Sequence, residues 1–278
     1  MKRVLSIQDI SCVGKCSLTV ALPVLSAAGL EASILPTSIL STHTAFKGFT
    51  FRDLTEDILP IAEHWKTQNI TFDGIYTGYL GSVRQIEAVE CVFDQFHKEG
   101  QLRFVDPAMG DNGQLYVGFT PDFAKRMGRL CGKADIIVPN LTEAAFMLGE
   151  EYLPPGYSEK DIKELLLRLM DLGAPTAVLT GISFEPGKCG VAGYNREKDE
   201  FFTCFSEQLP VLFHGTGDVF ASACFAAMMC NQSLPIALRT AVDFTVESMR
   251  CSLSHPDYNW YGVDFETALP KFIKMLGK

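Results

Sequence analysis

The sequence predicts a doubly wound α/β fold, a mostly parallel sheet with helices on both faces and a small antiparallel hairpin at one edge. Two observations predict it. Short apolar runs alternate with amphipathic stretches of helical period, and those runs are unbroken by polar residues, as strands covered on both faces are. Between Cys189 and Val211 the texture changes to alternating segments, Gly190 to Tyr194 and Glu200 to Phe205, around a turn at Asn195 to Asp199. That pattern reads as the edge hairpin.

In chain order, Arg3 to Gln8 reads as a strand and Ser17 to Ala28 as a helix. Ala32 to Thr37 is a strand, Asp53 to Thr67 a helix, Gly74 to Tyr76 a strand and Ser82 to Lys98 a helix. Leu102 to Val105 and Asp135 to Val138 are strands, Leu141 to Leu148 and Glu159 to Leu172 helices, and Thr176 to Thr180 a further strand. After the hairpin, Asp218 to Gln232, Leu234 to Leu253 and Asp264 to Leu276 are helical. There is no internal repeat and no low-complexity tract.

With 278 residues, 47% apolar and 21% charged, the chain can bury a sizeable core. No linker separates plausible halves, so residues 1–278 are expected to form a single domain, with Leu153-Pro154-Pro155-Gly156 as a loop. A net charge of −9 without a Lys/Arg stripe argues against a nucleic-acid or anionic-membrane partner. After Met1-Lys2-Arg3-Val4, Gln8 and Asp9 cut the apolar run too short for export, and no segment reaches the roughly 18 apolar residues of a membrane span. A cytoplasmic protein is expected. Nine cysteines scattered from Cys12 to Cys251 without a C-x-x-C pair read as reduced thiols rather than disulfides or zinc ligands.

The segment His214-Gly215-Thr216-Gly217-Asp218, running into the apolar stretch Val219 to Met229, places glycines and a carboxylate at a helix start. Glycines let the backbone approach an anion closely, and the first-turn amides and helix dipole favour negative charge there. A carboxylate beside a phosphate site repels the ligand unless it has a task, and accepting a proton from an attacking hydroxyl is one. The other reading is that Thr216 or Asp218 merely caps the helix.

Ligands of open α/β sheets sit beyond the carboxyl ends of the strands. The polar residues there are Asp9, Thr44, Tyr79, Asp106, Asn140 and Thr180, then the Gly-Thr-Gly-Asp turn. Asp106-Pro107-Ala108-Met109-Gly110-Asp111 sets two carboxylates beside a turn, and Pro139-Asn140-Leu141-Thr142-Glu143 adds a third at the next helix start. Such hard oxygen donors suit Mg²⁺ bridging to substrate phosphates; equally, Glu143 could compensate a helix dipole and Asp106-Pro107 be only a turn. His43 is either a base or a hydrogen-bonding prop. Gly14-Lys15-Cys16-Ser17 fails as a P-loop, because Asp9 stands where the first glycine belongs and Cys16 where Ser or Thr belongs. No G-x-G-x-x-G succeeds the first strand.

Taken together these motifs resemble the ribokinase superfamily, and within it the pyridoxal/pyridoxamine (vitamin B6) kinase family, over nearly the whole chain. Gly215-Thr216-Gly217-Asp218 resembles the family's anion hole and catalytic aspartate, and residues 106–111 its D-P-V-M-G-D element with Ala108 for the usual Val. Pro139 to Glu143 is similar to its P-N-x-x-E segment, which implies that Asn140 and Glu143 serve the Mg–ATP phosphates. Ser41-Thr42-His43-Thr44 and Thr77-Gly78-Tyr79 resemble S-N-H-T and T-G-Y, implying that Thr44 touches the pyridine substrate and that Tyr79 packs by its ring; Thr180 takes the place of a nucleotide-contacting Thr.

The resemblance implies a ribokinase-like fold and ATP-dependent phosphorylation of the hydroxymethyl group of pyridoxal, pyridoxamine or pyridoxine. Asp218 would be the base, Gly215, Thr216 and Gly217 the anion hole, and Asp106, Asp111 and Glu143 the Mg²⁺ site, with Thr216 and Gly217 also touching ATP. A monovalent cation such as K⁺ and a homodimer are implied as well. One departure bears on the acceptor: Asp9-Ile10 stands where these kinases have Ser-His after I-Q, and Asp9 resembles hydroxymethylpyrimidine kinases of thiamin synthesis. A silent nucleotide-binding regulator on this fold is a third reading, against which Asp218 argues.

Overall fold

In the computed structural model, which describes residues 1–278, the apolar runs pair as expected. The first half of the chain forms β1 (Arg3–Val13), α1 (Leu18–Ala27), β2 (Glu31–Thr42), β3 (Phe51–Asp53), α2 (Thr55–Thr67), β4 (Gly74–Thr77), α3 (Val83–Gln95), β5 (Leu102–Val105), β6 (Gly110–Asp111), β7 (Gln114–Leu115) and α4 (Pro121–Cys131). The second half forms β8 (Ile136–Ile137), α5 (Leu141–Leu148), α6 (Glu159–Met170), β9 (Thr176–Ile182), β10 (Lys188–Asn195), β11 (Glu200–Glu207), α7 (Thr216–Met229), α8 (Leu234–Leu253) and α9 (Phe265–Met275).

Nine strands make one sheet in the order β11-β10-β9-β8-β5-β4-β1-β2-β3, and β6 with β7 makes a separate two-stranded ribbon. From β2 through β1, β4, β5 and β8 to β9 the pairing is parallel, while β3, β10 and β11 join antiparallel. Successive side chains of a strand point to opposite faces, and both faces here are apolar. Ile75 and Val105 enter a core with α2 to α6, whereas Tyr76 and Phe104 enter a second core with α1, α7, α8 and α9. Because β2 and β4 flank β1 on opposite sides, the chain reverses direction across the sheet at β1 and opens a crevice at the carboxyl ends of β1 and β4.

Several boundaries differ from the sequence reading. β1 and β2 run on to Val13 and Thr42, past the last β4 partner of β1 at Ile7, with a register shift between Gln8 and Ile10. Their mutual hydrogen bonds carry this ribbon beyond the sheet. The helix expected from Asp53 begins at Thr55, because Asp53 ends the edge strand β3 and its carboxylate accepts the Thr55 amide at 2.8 Å. The sequence reading passed over β3, the β6–β7 ribbon and α4. α4 has a Thr120 cap and Pro121 in its first turn, and it buries Phe123, Ala124, Met127, Leu130 and Cys131 at helical spacing. The hairpin β10–β11 lies at the sheet edge with Asn195 opposite Glu200.

Candidate active site

α7 starts at Thr216, with Gly215 as its N-cap at φ 76° and no side chain capping it. This decides against Thr216 or Asp218 as a simple cap: the Thr216 hydroxyl turns back to the Phe213 carbonyl at 3.4 Å. The opening amides of the helix therefore lack both intrahelical and side-chain partners. Gly215 is required twice over, since its φ is left-handed and a Cβ there would lie 1.9 Å from the Lys15 carbonyl oxygen. A Cβ at Gly217 would meet open space. The turn is a bare, glycine-lined cradle of the kind that takes phosphate.

Asp218, on the first turn of α7, is half-buried. Burial pushes its carboxyl up to about 7, the Ser17 backbone amide pulls the other way, and the charge of Asp9 adds to the rise. A carboxylate tuned to that range accepts a proton near neutral pH.

Asp9 lies at the β1 end of the crevice, 3% exposed, and accepts from the Ser11 hydroxyl at 3.0 Å. Its pKa is raised by burial, against the hydroxyls of Ser17 and Ser11. Tyr79, just past β4, is pushed up to about 12 by burial and by Asp9, and its ring sits 5.5 Å from that of Phe119. Thr44 is exposed on the connection from β2 to β3.

His43 is the prop of the two readings. Its Nε2 donates to the Tyr261 carbonyl at 3.0 Å and its Nδ1 accepts the Ala45 amide at 3.2 Å, an arrangement that uses both nitrogens of the neutral ring. Burial lowers its pKa.

Across the crevice, Asn140 and Glu143 form a capping box at the start of α5. Asn140 Oδ1 accepts the Glu143 amide at 3.0 Å, and Glu143 Oε2 accepts the Asn140 amide at 2.8 Å. The remaining atoms reach the Asp106–Asp111 turn: Glu143 Oε1 accepts the Met109 amide at 3.1 Å and Asn140 Nδ2 donates to the Gly110 carbonyl at 2.8 Å. Burial pushes Glu143 up to about 7, against three backbone amides. Asp106 is held well above the usual carboxylate range by burial and by the charges of Glu143 and Asp218. Asp111 is exposed on β6 and accepts the Asn112 amide at 2.8 Å. Thr180 neighbours Asn140 through an isolated bridge, its amide bonded to the Pro139 carbonyl at 2.9 Å.

The three carboxylates do not form a ready-made cage: no three His, Cys, Asp or Glu side chains converge as a metal site. They offer a buried acidic pair without a counter-charge, Asp106 and Glu143, beside an exposed Asp111. That donor set fits Mg²⁺, which keeps water and takes phosphate oxygens instead of an all-protein shell.

Sequence reasoning missed the Gly14–Ser17 loop, which it dismissed as a failed P-loop. The loop packs directly on Gly215 through Lys15 and Cys16. It also missed the aromatic group around His43, in which Phe46 and Trp260 sit 4.6 Å apart and His214 lies 5.3 Å from His43. Nothing local signals these contacts, since the partners come from opposite ends of the chain.

The model of the family described as phosphomethylpyrimidine kinase matches residues 24–260. A protein of Bacteroides thetaiotaomicron, assigned provisionally to the phosphomethylpyrimidine kinases and crystallised with pyridoxal, is 38% identical with a TM-score of 0.93, covering 98% of this chain and 95% of that one. Pyridoxal kinase from Lactobacillus plantarum is 31% identical with a TM-score of 0.89 over 99% of this chain and 98% of its own. Pyridoxal kinase of Arabidopsis thaliana is 26% identical over 94% of this chain and 85% of its own.

Proposed function

The chain belongs to the phosphomethylpyrimidine kinase family, and we propose that within it this protein transfers the γ-phosphoryl group of ATP to the hydroxymethyl group of pyridoxal, pyridoxamine or pyridoxine. The observation that carries the reading is the meeting of a base and a cradle: Asp218, raised to about 7, stands on the same turn as the uncapped amides of α7. The pyridoxal-bound relative supports the acceptor.

Asp218 takes the proton of the acceptor hydroxyl as its oxygen attacks phosphorus. The amides of Gly215, Thr216 and Gly217 stabilise the charge on the transferring group, the largest contribution in reactions of this type. Asn140, Thr180 and the α5 start border the nucleotide, with Thr216 and Gly217 at its phosphates. Mg²⁺, when bound, would neutralise phosphate charge, and Asp106, Asp111 and Glu143 would hold it, directly or through water. Asp9, Thr44 and Tyr79 receive the ring. We read residues 1–278 as one ribokinase-like domain, working in the cytoplasm as a homodimer. No helix is long and apolar enough to cross a membrane.

A second reading, kinase of hydroxymethylpyrimidine, is favoured by one observation, the buried carboxyl of Asp9 facing the acceptor crevice. One experiment separates the two. ADP release with Mg–ATP is measured for pyridoxal, pyridoxamine, pyridoxine, hydroxymethylpyrimidine and ribose, with and without K⁺. A lead of about tenfold or more in kcat/KM for the pyridines, roughly 1.4 kcal/mol, supports the first reading. A lead for the pyrimidine replaces it with the second, and a rise with K⁺ adds a monovalent cation.

A further inference from the structure

The Gly14–Ser17 loop carries a lysine whose interactions run in two directions. Its backbone carbonyl lies on Gly215, so close that no Cβ fits between them. Its side chain runs the other way, along Gly262, where a Cβ would lie 2.4 Å from Lys15 Cβ, and ends between two carboxylates. Nζ is 2.6 Å from Asp264 Oδ1 and 2.9 Å from Glu266 Oε2, with the Lys15 side chain 16% and that of Asp264 19% exposed. Burial disfavours the ammonium, and the two carboxylates outweigh it, so Lys15 stays charged above its usual range.

Asp264 is the firm end of this pair. Its neighbours Val263 and Phe265 are buried in the core beside α9, and its amide donates to the Ser252 hydroxyl at 2.7 Å. It occupies the N-cap position of α9, where an aspartate ordinarily accepts a first-turn amide, yet it makes no such bond. Its carboxylate is turned to Lys15 instead. The forgone cap is hard to explain by helix stability and natural if the ammonium is the group Asp264 is there to hold.

The Gly14–Ser17 loop is the floor of the phosphate cradle, and Ser17, with φ 51° and ψ −133°, also presents its amide to Asp218. A shift of Lys15 therefore moves Gly215 and the direction of the amides behind it. We propose that Lys15 is a positioning residue: its ion pair with Asp264 clamps the Gly14–Ser17 loop onto Gly215 and so fixes the aim of the Gly215–Gly217 amides. The clamp stands on geometry alone; its effect on turnover rests on the kinase reading above.

The test uses the full chain with Lys15→Met, which keeps the stem and removes the charge, together with Lys15→Arg, Asp264→Asn and the double variant Lys15→Met/Asp264→Asn. Misaimed rather than missing amides should lower kcat by about tenfold or more. The KM values for ATP and acceptor should stay within about twofold, since a change confined to the transition state leaves ground-state binding alone. Lys15→Arg, whose fork suits two carboxylates, should recover most of kcat. The double variant should be no worse than the poorer single one, as expected for two residues acting as a unit.

Amide hydrogen exchange at Val219, whose amide donates to the Gly215 carbonyl at 3.0 Å, and at Ser17, whose amide faces Asp218, supplies a readout independent of activity, and it should quicken in Lys15→Met and Asp264→Asn. A Lys15→Met enzyme with kcat near wild type, or with unchanged exchange at Ser17 and Val219, overturns the clamp. If Lys15→Met does not fold, Asp264→Asn is judged by the same two measurements. A wild type that phosphorylates no acceptor ends the kinase reading by itself, and the exchange difference still decides the clamp.

Discussion

Asp9 and Asp218 share one neighbour, Ser17: its hydroxyl draws the Asp9 pKa down and its backbone amide draws down that of Asp218, each against the rise that burial brings. That neighbour is itself held at a positive φ of 51°. The charge on Asp9 also raises the pKa of Asp218, adding to the larger effect of burial.

Asp218→Asn should cut kcat by about 10²-fold or more, on the scale of a general base, while ATP binding stays nearly intact. Single-turnover rates with bound nucleotide check this; an undiminished rate removes Asp218 from the mechanism. In the wild type the base must be ionised, so kcat should rise with pH through a limb near 7, where burial has placed the Asp218 pKa.

Asp9→Asn removes a negative charge that raises the Asp218 pKa, so the same limb should move to lower pH. Asp9→Ser should in addition change the ratio of kcat/KM between pyridine and pyrimidine acceptors. Equal losses on both acceptors would show that Asp9 does not read the ring.

Asp218 and Glu143 both carry folded-state pKa values of about 7 because burial disfavours their charged forms. Between an ordinary carboxylate pKa near 4 and that value, the native state holds protons that the unfolded chain has released. Stability of the ligand-free protein should therefore be full below about pH 4 as far as these two groups go, and decline as pH rises through 7. Asp218→Asn should flatten the curve and raise Tm at pH 8 by a few degrees, about 2–4 °C per kcal/mol for a chain of this size. Thermal melts from pH 5 to 8 measure it, and a Tm that rises across that range would contradict the assignment.

Gly215→Ala and Gly217→Ala should part company. The first puts a Cβ 1.9 Å from the Lys15 carbonyl at a positive φ and should lower both Tm and kcat sharply, whereas the second meets open space. Gly217→Ala should fold like wild type, losing activity only as far as the methyl group crowds phosphate. Melting and turnover of the two variants make the comparison.

The parallel sheet was legible because its central strands are predominantly apolar on both faces and alternate with helices, and Leu102 to Val105 and Leu141 to Leu148 lie where the sequence puts them. The Gly215–Asp218 turn was legible as a helix start because its glycines precede a long apolar run, and α7 does begin at Thr216 after a left-handed Gly215. α4 was passed over although its signals are local: Gly118 to Asp122 looks like a turn, yet Thr120 and Pro121 mark a helix start and the apolar residues from Phe123 to Cys131 fall at helical spacing. β3 was not legible, since its three residues are all exposed and gain their shape from pairing with Ser38 to Leu40. The role of Lys15 was least legible, because its partner is 249 residues away and an ion pair leaves no period in a sequence.

α7 carries every residue from Val219 to Ala227 in the buried core, so the helix that bears Asp218 cannot slide or tilt without breaking the packing of α1 and α8. On the proposed reading the base is a stationary landmark, and the acceptor would be brought to it by Asp9, Thr44 and Tyr79 at the strand ends. Chemistry and choice of acceptor consequently reside on separate stretches of chain. On that reading a lineage could exchange one ring for another by altering the β2 and β4 tips, whereas a change at Asp9 on β1 would also retune the base.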